Sequence, residues 1–143
     1  MKPYIQTIAA AGCAALIALS SCSHNNQWEV TGVIADAENE LLVLEGMAAN
    51  GNWYMMDTLR LSGDGKFSFK EDAPNRPEIY RLTIGNSSAY FPVDSIETIT
   101  VNATAPAIDR TYKLSGTPQA DMMQNVNTMI SKSGVSTDSL KRQ

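Results

Sequence analysis

The chain has 143 residues, with 11 Lys and Arg against 15 Asp and Glu, a net charge of −4 and a single histidine. The balance is mildly acidic and the charges are scattered, so no basic stripe exists to neutralise phosphates and nucleic acid is excluded as the expected partner. Its two cysteines, Cys13 and Cys22, both precede the patterned part of the chain, which excludes a disulfide framework or a Cys-x-x-Cys redox pair from that part.

Met1 and Lys2 supply a positive start, and Ile8 to Leu19 is an almost uncharged Ala/Ile/Leu run. At about a dozen residues it is too short to span a bilayer and reads as the apolar region of an export signal. Leu19-Ser20-Ser21-Cys22 closes it with the pattern read by bacterial lipoprotein processing. Small residues there admit a peptidase, and only a thiol can carry the thioether-linked diacylglycerol. Residues 1–21 are therefore expected to leave as a signal peptide and Cys22 to become a lipid anchor, since two or three acyl chains hold a protein almost permanently where one holds it reversibly. Ala10-Ala11-Gly12-Cys13 has a similar shape but leaves few apolar residues ahead of its cysteine. A plain secretory signal or an uncleaved anchor would also fit the apolar run, without the lipid on Cys22.

Residues 22–27 follow as a lipidated tether. Ser23 to Gln27 is polar and unpatterned, and His24, the one histidine, reads as a solvated linker residue. The tether has no acidic run of the kind that directs some Gram-negative lipoproteins to the cell surface. The expected location is the outer membrane facing the periplasm, with surface exposure left open. Removing the signal leaves about 120 residues, enough for one domain.

From Gln27 onwards short alternating runs are punctuated by turn residues, the pattern of an all-β sandwich. Trp28, Val30, Gly32 and Ile34 share one side of a first strand, broken over Asp36 to Asn39; Leu41 to Gly46 forms a second. Asn50-Gly51 predicts a tight hairpin with two positive φ angles, leading into Trp53-Tyr54-Met55-Met56. Met55, Leu59 and Leu61 share one parity, and Tyr54, Met56, Thr58 and Arg60 the other. Leu59 to Leu61, the turn Ser62-Gly63-Asp64-Gly65 and Lys66 to Lys70 predict a hairpin with Phe67 and Phe69 inward. Strands follow over Ile79 to Ile84, Ala89 to Val93, Thr98 to Ala103 and Arg110 to Leu114. Thr117-Pro118 then reads as an N-cap and first helical residue, with Asp121 suited to the helix dipole. Met122, Val126, Met129 and Ile130 recur at helical spacing and need a cover, for which the chain's own sandwich is preferred to a partner. Gly134 is expected to end the helix. The prediction is an all-β sandwich of about eight mostly antiparallel strands over 28–116, one C-terminal amphipathic helix over 117–134 and a disordered tail over 135–143.

Candidate chemistry is sparse. Asp57, Asp64 and Asp94 sit where turn chemistry wants aspartate, without the Asp-x-Asp spacing of a calcium loop, so no metal is expected. Serine nucleophiles lack a histidine base and a Gly-x-Ser-x-Gly elbow, so no enzyme activity and no cofactor are expected. Trp53, Tyr54, Tyr90 and Phe91 are candidates for an aromatic platform facing a glycan or peptide, although aromatics on strands are more often core. Asp57-Thr58-Leu59, Asp94-Ser95-Ile96 and Asp138-Ser139-Leu140 share a tripeptide that resembles an O-glycosylation acceptor of some Gram-negative anaerobes, with Thr58, Ser95 and Ser139 as acceptors; the competing reading is an Asp side chain bonding nearby backbone.

Val30-Thr31-Gly32, Asp57-Thr58, Gly65-Lys66-Phe67-Ser68-Phe69, Pro77-Glu78-Ile79-Tyr80, Ile99-Thr100-Val101 and Leu114-Ser115-Gly116-Thr117 together resemble the family called domain of unknown function 4369. The resemblance implies a β domain that usually precedes a thioredoxin-like module in lipid-anchored thiol-disulfide oxidoreductases, joined by a helical linker. This chain has no Cys-x-x-Cys to carry over. The functional expectation is a membrane-anchored periplasmic lipoprotein acting as a non-catalytic binding module for an unknown protein or glycan. Two further readings stand beside it: the N-terminal part of a redox protein whose thioredoxin-like module is missing or encoded separately, and a glycan-binding surface lipoprotein.

Overall fold

The computed structural model describes residues 26–140, with side chains described through Ser133. The expected signal peptide, Cys13, Cys22 and His24 lie outside the described residues. Eight strands run in chain order as β1 (Gln27–Ala35), β2 (Leu41–Met47), β3 (Trp53–Arg60), β4 (Lys66–Asp72), β5 (Glu78–Ile84), β6 (Ser87–Val93), β7 (Thr98–Thr104) and β8 (Lys113–Ser115). One helical turn, α1 (Ile108–Thr111), precedes β8, and a long helix, α2 (Pro118–Leu140), follows it.

The strands form two four-stranded sheets, ordered β4-β1-β7-β8 and β3-β2-β5-β6. All pairings are antiparallel except β1 with β7, where Val30 lies beside Ile99 and Ile34 beside Ala103. Alternation in the sequence is what makes a sandwich of them: Trp28, Val30 and Ile34 of β1 and Ile99 and Val101 of β7 point from the first sheet towards Leu42, Leu44, Tyr80, Leu82, Phe91 and Val93 of the second. Trp28 ties the two layers, its ring centroid 4.6 Å from Tyr80 and 5.8 Å from Phe91.

At one lateral side, α1 contacts β6 and β7 while α2 contacts β6 and β8, so helix covers the seam between the sheets. Thr117 caps α2 as expected: its Oγ1 accepts from the Ala120 N–H at 3.0 Å and its carbonyl from the Asp121 N–H at 2.9 Å. At the other side β3 and β4 are the free edges, and here the predicted hairpin is overturned. β3 pairs with β2 and β4 with β1, so the Ser62 to Gly65 turn is a corner that carries the chain from one sheet to the other. The backbone of Leu61 still bonds Glu40 and Asn39 on the β2 side, and the Gly65 carbonyl already accepts from Ile34 of β1 at 2.9 Å. A Cβ on Gly65 would stand 2.1 Å from the Ile34 carbonyl oxygen, so glycine is what lets the corner close on β1.

Four further expectations change. The Asn50-Gly51 hairpin between β2 and β3 exists, but only Gly51 has positive φ, at 82°; Gly51 N–H bonds Ala48 carbonyl and the loop is a turn with one left-handed residue. Arg110 and Thr111 belong to α1, leaving β8 only Lys113 to Ser115, because Ile108 is buried and Thr111 Oγ1 bonds the backbone of both Ala107 and Thr104. A bulge opposite Leu44 and Glu45 inserts one residue into β3, which breaks its parity: Met56 and Leu59 lean on the core and Met55 is 66% exposed. The long helix continues through Gly134 to Leu140, since one glycine lowers helix stability by only about 1 kcal/mol; most of the predicted tail is thus helical.

Candidate functional site

The outward face of the second sheet carries a connected cluster of polar and aromatic side chains. Strand parity puts it there: as Tyr80, Leu82 and Ile84 point inward, Ile79, Arg81 and Thr83 point outward, and as Ala89, Phe91 and Val93 point inward, Ser88 and Tyr90 point outward. Register then lines up residues across the strands, with Glu45 beside Arg81 and Arg81 beside Tyr90. Arg81 Nε donates to Glu45 Oε2 at 2.5 Å, and its guanidinium carbon lies 4.3 Å from the centroid of the Trp53 ring. Trp53 and Tyr90 are 5.8 Å apart at 59°. Thr83 Oγ1 donates to the same Glu45 oxygen at 2.8 Å and lies 2.8 Å from Ser88 Oγ.

Burial pushes the Glu45 carboxyl up, but hydrogen bonds from Arg81 and Thr83, with the Arg81 charge, outweigh it and hold the group below the ordinary glutamate value. Burial also works against the Arg81 charge, and its bonds to Glu45 and Tyr90 more than offset that. The pair is compensated, and with the tilted rings of Trp53 and Tyr90 it forms a mixed polar and aromatic cluster without a nucleophile–base couple. The carboxylate instead accepts from a guanidinium and a hydroxyl.

Nearer the start of β5 the same face carries an apolar row, flanked by Arg76 of the β4–β5 link and by Glu78. Trp53 pairs with Met47, Ile79 pairs with Pro92, and the register from Glu45 and Arg81 sets Met47 beside Ile79. Met47 is 44% and Ile79 40% exposed.

A second feature lies along α2. The helix rests on the sandwich through buried Ala120, partly buried Met123, Gln124, whose Oε1 accepts from the Leu114 N–H at 2.9 Å, and Asn127, whose amide donates to the Tyr112 hydroxyl at 3.0 Å. The stripe expected to be covered stays exposed: Met122, at 68%, Val126 and Met129 point away from the sandwich, and Ile130, at 64%, flanks the docked side. Helical spacing revealed an apolar face but not which face the seam would take. The polar Gln124 and Asn127 dock because buried backbone and phenol groups there need partners. A groove of about 940 Å³ runs between this helix and the α1–β8 segment, with Tyr112, Gln124, Asn127 and Ile130 among its walls.

The predicted platform is only partly assembled. Trp53 and Tyr90 meet, but Arg81 covers one face of Trp53. Tyr54 alternates to the opposite side and leans over Gly46. Phe91 is corrected to core, fully buried against Trp28 and Tyr80 because it shares parity with Ala89 and Val93. Glu45, Arg81, Thr83 and Ser88 were missed, although the outward parity of β5 and β6 was the signal that pointed to them. Of the three acceptor hydroxyls, Thr58 is exposed on edge strand β3, its N–H bonded to Asp57 Oδ1 at 2.7 Å, and Ser95 is exposed in the β6–β7 turn. Ser139 falls in α2 beyond the described side chains. Asp64 serves its turn, accepting from Ser62 Oγ at 2.8 Å and Lys66 N–H at 3.1 Å. Among the described residues no group of three or more His, Cys, Asp or Glu is placed to hold a metal ion, and no helix is long and apolar enough to cross a membrane.

The family model described as domain of unknown function (DUF4369) matches residues 28–123. No functionally curated protein matches the chain. Among solved structures, sea bream transthyretin in complex with thyroxine is 13% identical with a TM-score of 0.38, over 63% of this chain and 93% of that one. Transthyretin from Sparus aurata is 14% identical with the same TM-score, over 63% of this chain and 95% of its own.

Proposed function

The chain belongs to the DUF4369 family of domains of unknown function, and we propose that it works as a non-catalytic interaction module anchored to the periplasmic side of a Gram-negative outer membrane through lipid on Cys22. The observation that carries this reading is the exposed stripe of α2. Met122, Val126 and Met129 stay in solvent, with Ile130 exposed beside them at the groove, while the opposite side of the same helix is fixed to the sandwich by Ala120, Gln124 and Asn127. Contiguous exposed apolar side chains on a rigid support mark an interaction surface, and methionines adapt their shape to a partner. The compensated Glu45–Arg81 pair and the hydroxyls engaged around it support binding rather than catalysis.

The test is site-specific photocrosslinking from position 129 of the lipidated protein in its native membranes, with position 70, exposed on edge strand β4 at the far side of the sandwich, as a control. One discrete adduct from 129 and none from 70 is the expected outcome. An adduct pattern equal at both positions contradicts the reading. If the adduct carries a thioredoxin-like module, the chain is the anchored half of a split redox protein, with α2 as the joint. Anchoring has its own test: intact-mass analysis should show acylated Cys22 in the wild type and an unprocessed, unacylated chain for Cys22→Ser. Thr58 and Ser95, both exposed beside an aspartate, are sterically open to glycosylation, and the same mass spectrum reads any added sugar.

A further inference from the structure

The apolar row on the second sheet lies at the end of the sandwich where the tether enters. Val93 follows Pro92 and pairs with Glu78; the turn from Asp94 to Glu97 then leads to Thr98, which lies beside Glu29, and the Glu29 N–H bonds the Glu97 carbonyl at 2.9 Å. Gln27, the first residue of β1, is therefore at the same end as Trp53, Met47, Ile79 and Pro92. The stretch from Cys22 to Gln27 reaches at most about 18 Å even fully extended.

The outward face is graded along its strands. Next to the tether end it presents Met47 and Ile79, each at least 40% exposed, flanked by the ion pair of Arg76, in the β4–β5 link, with Glu78. One row further come Arg81 and Tyr90, and beyond them the hydroxyls of Thr83 and Ser88. Trp53 bridges the first two rows, its ring under the Arg81 guanidinium. Apolar side chains, then amphipathic Trp, Tyr and Arg, then hydroxyls is the order in which residues partition from acyl chains through headgroups to water.

We propose that the outward face of the second sheet leans on the lipid bilayer, Met47 and Ile79 entering the acyl boundary and Trp53, Arg81 and Tyr90 lying at headgroup depth. This rests on the anchoring through Cys22 proposed above. The short tether holds the face within reach, so a shallow apolar contact too weak to recruit a free protein is populated once the lipid is inserted. The arrangement leaves α2, on the lateral seam, free for a partner.

The experiment uses the lipidated protein in vesicles of phosphatidylethanolamine and phosphatidylglycerol with brominated acyl chains. Trp53 emission should be quenched several-fold more than the background of a Trp53→Phe variant, whose remaining Trp28 is fully buried. Met47→Asp with Ile79→Asp should abolish the quenching while leaving the protein vesicle-bound and its circular dichroism unchanged. Vesicle-bound protein whose Trp53 is not quenched overturns the leaning and leaves the anchoring intact. An unacylated Cys22 overturns both. Two other results overturn it in favour of another occupant: a dimer in sedimentation that the double variant dissociates, or protection of Trp53 from aqueous quencher by a neutral oligosaccharide in place of the bilayer.

Discussion

Gly32 has no room for a side chain, since a Cβ there would stand 1.8 Å from the Val101 carbonyl oxygen across the parallel β1–β7 pair. Alanine must push the two central strands of the first sheet apart, and Gly32→Ala is expected to cost about 2–4 kcal/mol, read as a lowered urea midpoint with unchanged slope. Two carboxylates make opposite pH predictions. Glu45 has a folded pKa below its unfolded value, so its contribution is present above the ordinary glutamate range and is lost as pH falls through the folded value. Arg81→Leu strands that carboxylate half-buried and should cost about 1–3 kcal/mol at neutral pH, with a smaller penalty in acid. Glu71 is raised, by burial first and then by Asp57 and Asp72. The stability it contributes is complete below the unfolded value and disappears as pH rises through the folded one. Glu71→Gln should therefore be neutral or stabilising at pH near 7 and lose that advantage in acid. Denaturant titrations of Arg81→Leu and Glu71→Gln across the acid range check both signs. Neither partner of Glu45 was visible in the sequence as such, because contact between residues 36 and 38 positions away is set by register rather than by spacing.

Strands were readable because each buries one face of an alternating pattern, and β1, β2, β4, β5, β6 and β7 fall close to their expected bounds. Pairing was not readable in the same way. A four-residue turn between two amphipathic strands looks alike whether the chain folds back beside itself or crosses to the facing sheet, and only Gly65 against Ile34 decides for the corner. The helix repeats the lesson: 3.6-residue spacing located Met122, Val126, Met129 and Ile130, yet the side that docks is set by Ala120, small enough to be fully buried, and by two amides with backbone and phenol partners. Hence Thr117→Ala, which removes a buried cap, should lower stability by about 1 kcal/mol. Changing Met122, Met129 and Ile130 together to Gln should stay within about 0.5 kcal/mol per site, as exposed positions do. Thermal melts compare them directly. A large loss from the triple variant would show that the stripe is covered in solution.

The two tryptophans allow the molecule to be followed as a whole, for they sit in different sheets and different surroundings. Trp28 is fully buried at the joint between the layers, its indole nitrogen without a hydrogen-bond partner of good geometry, whereas Trp53 lies on the outward face beneath Arg81. The sheets share one core, α2 covers one seam, and the cysteines both precede β1, so no disulfide holds any part of the sandwich when the rest opens. A single domain of this size and construction should unfold in one cooperative step. Trp53→Phe and Trp28→Phe each leave one reporter, and the fluorescence midpoint of each variant should coincide with its own midpoint by circular dichroism, with or without reductant. The Trp28→Phe chain will itself be less stable, because it loses ring volume from the core; the criterion is therefore agreement between probes within a variant. A Trp53 midpoint ahead of the circular dichroism midpoint would mean that the second sheet separates before the first melts. The shared core would then be too weak to make one unit of the two layers.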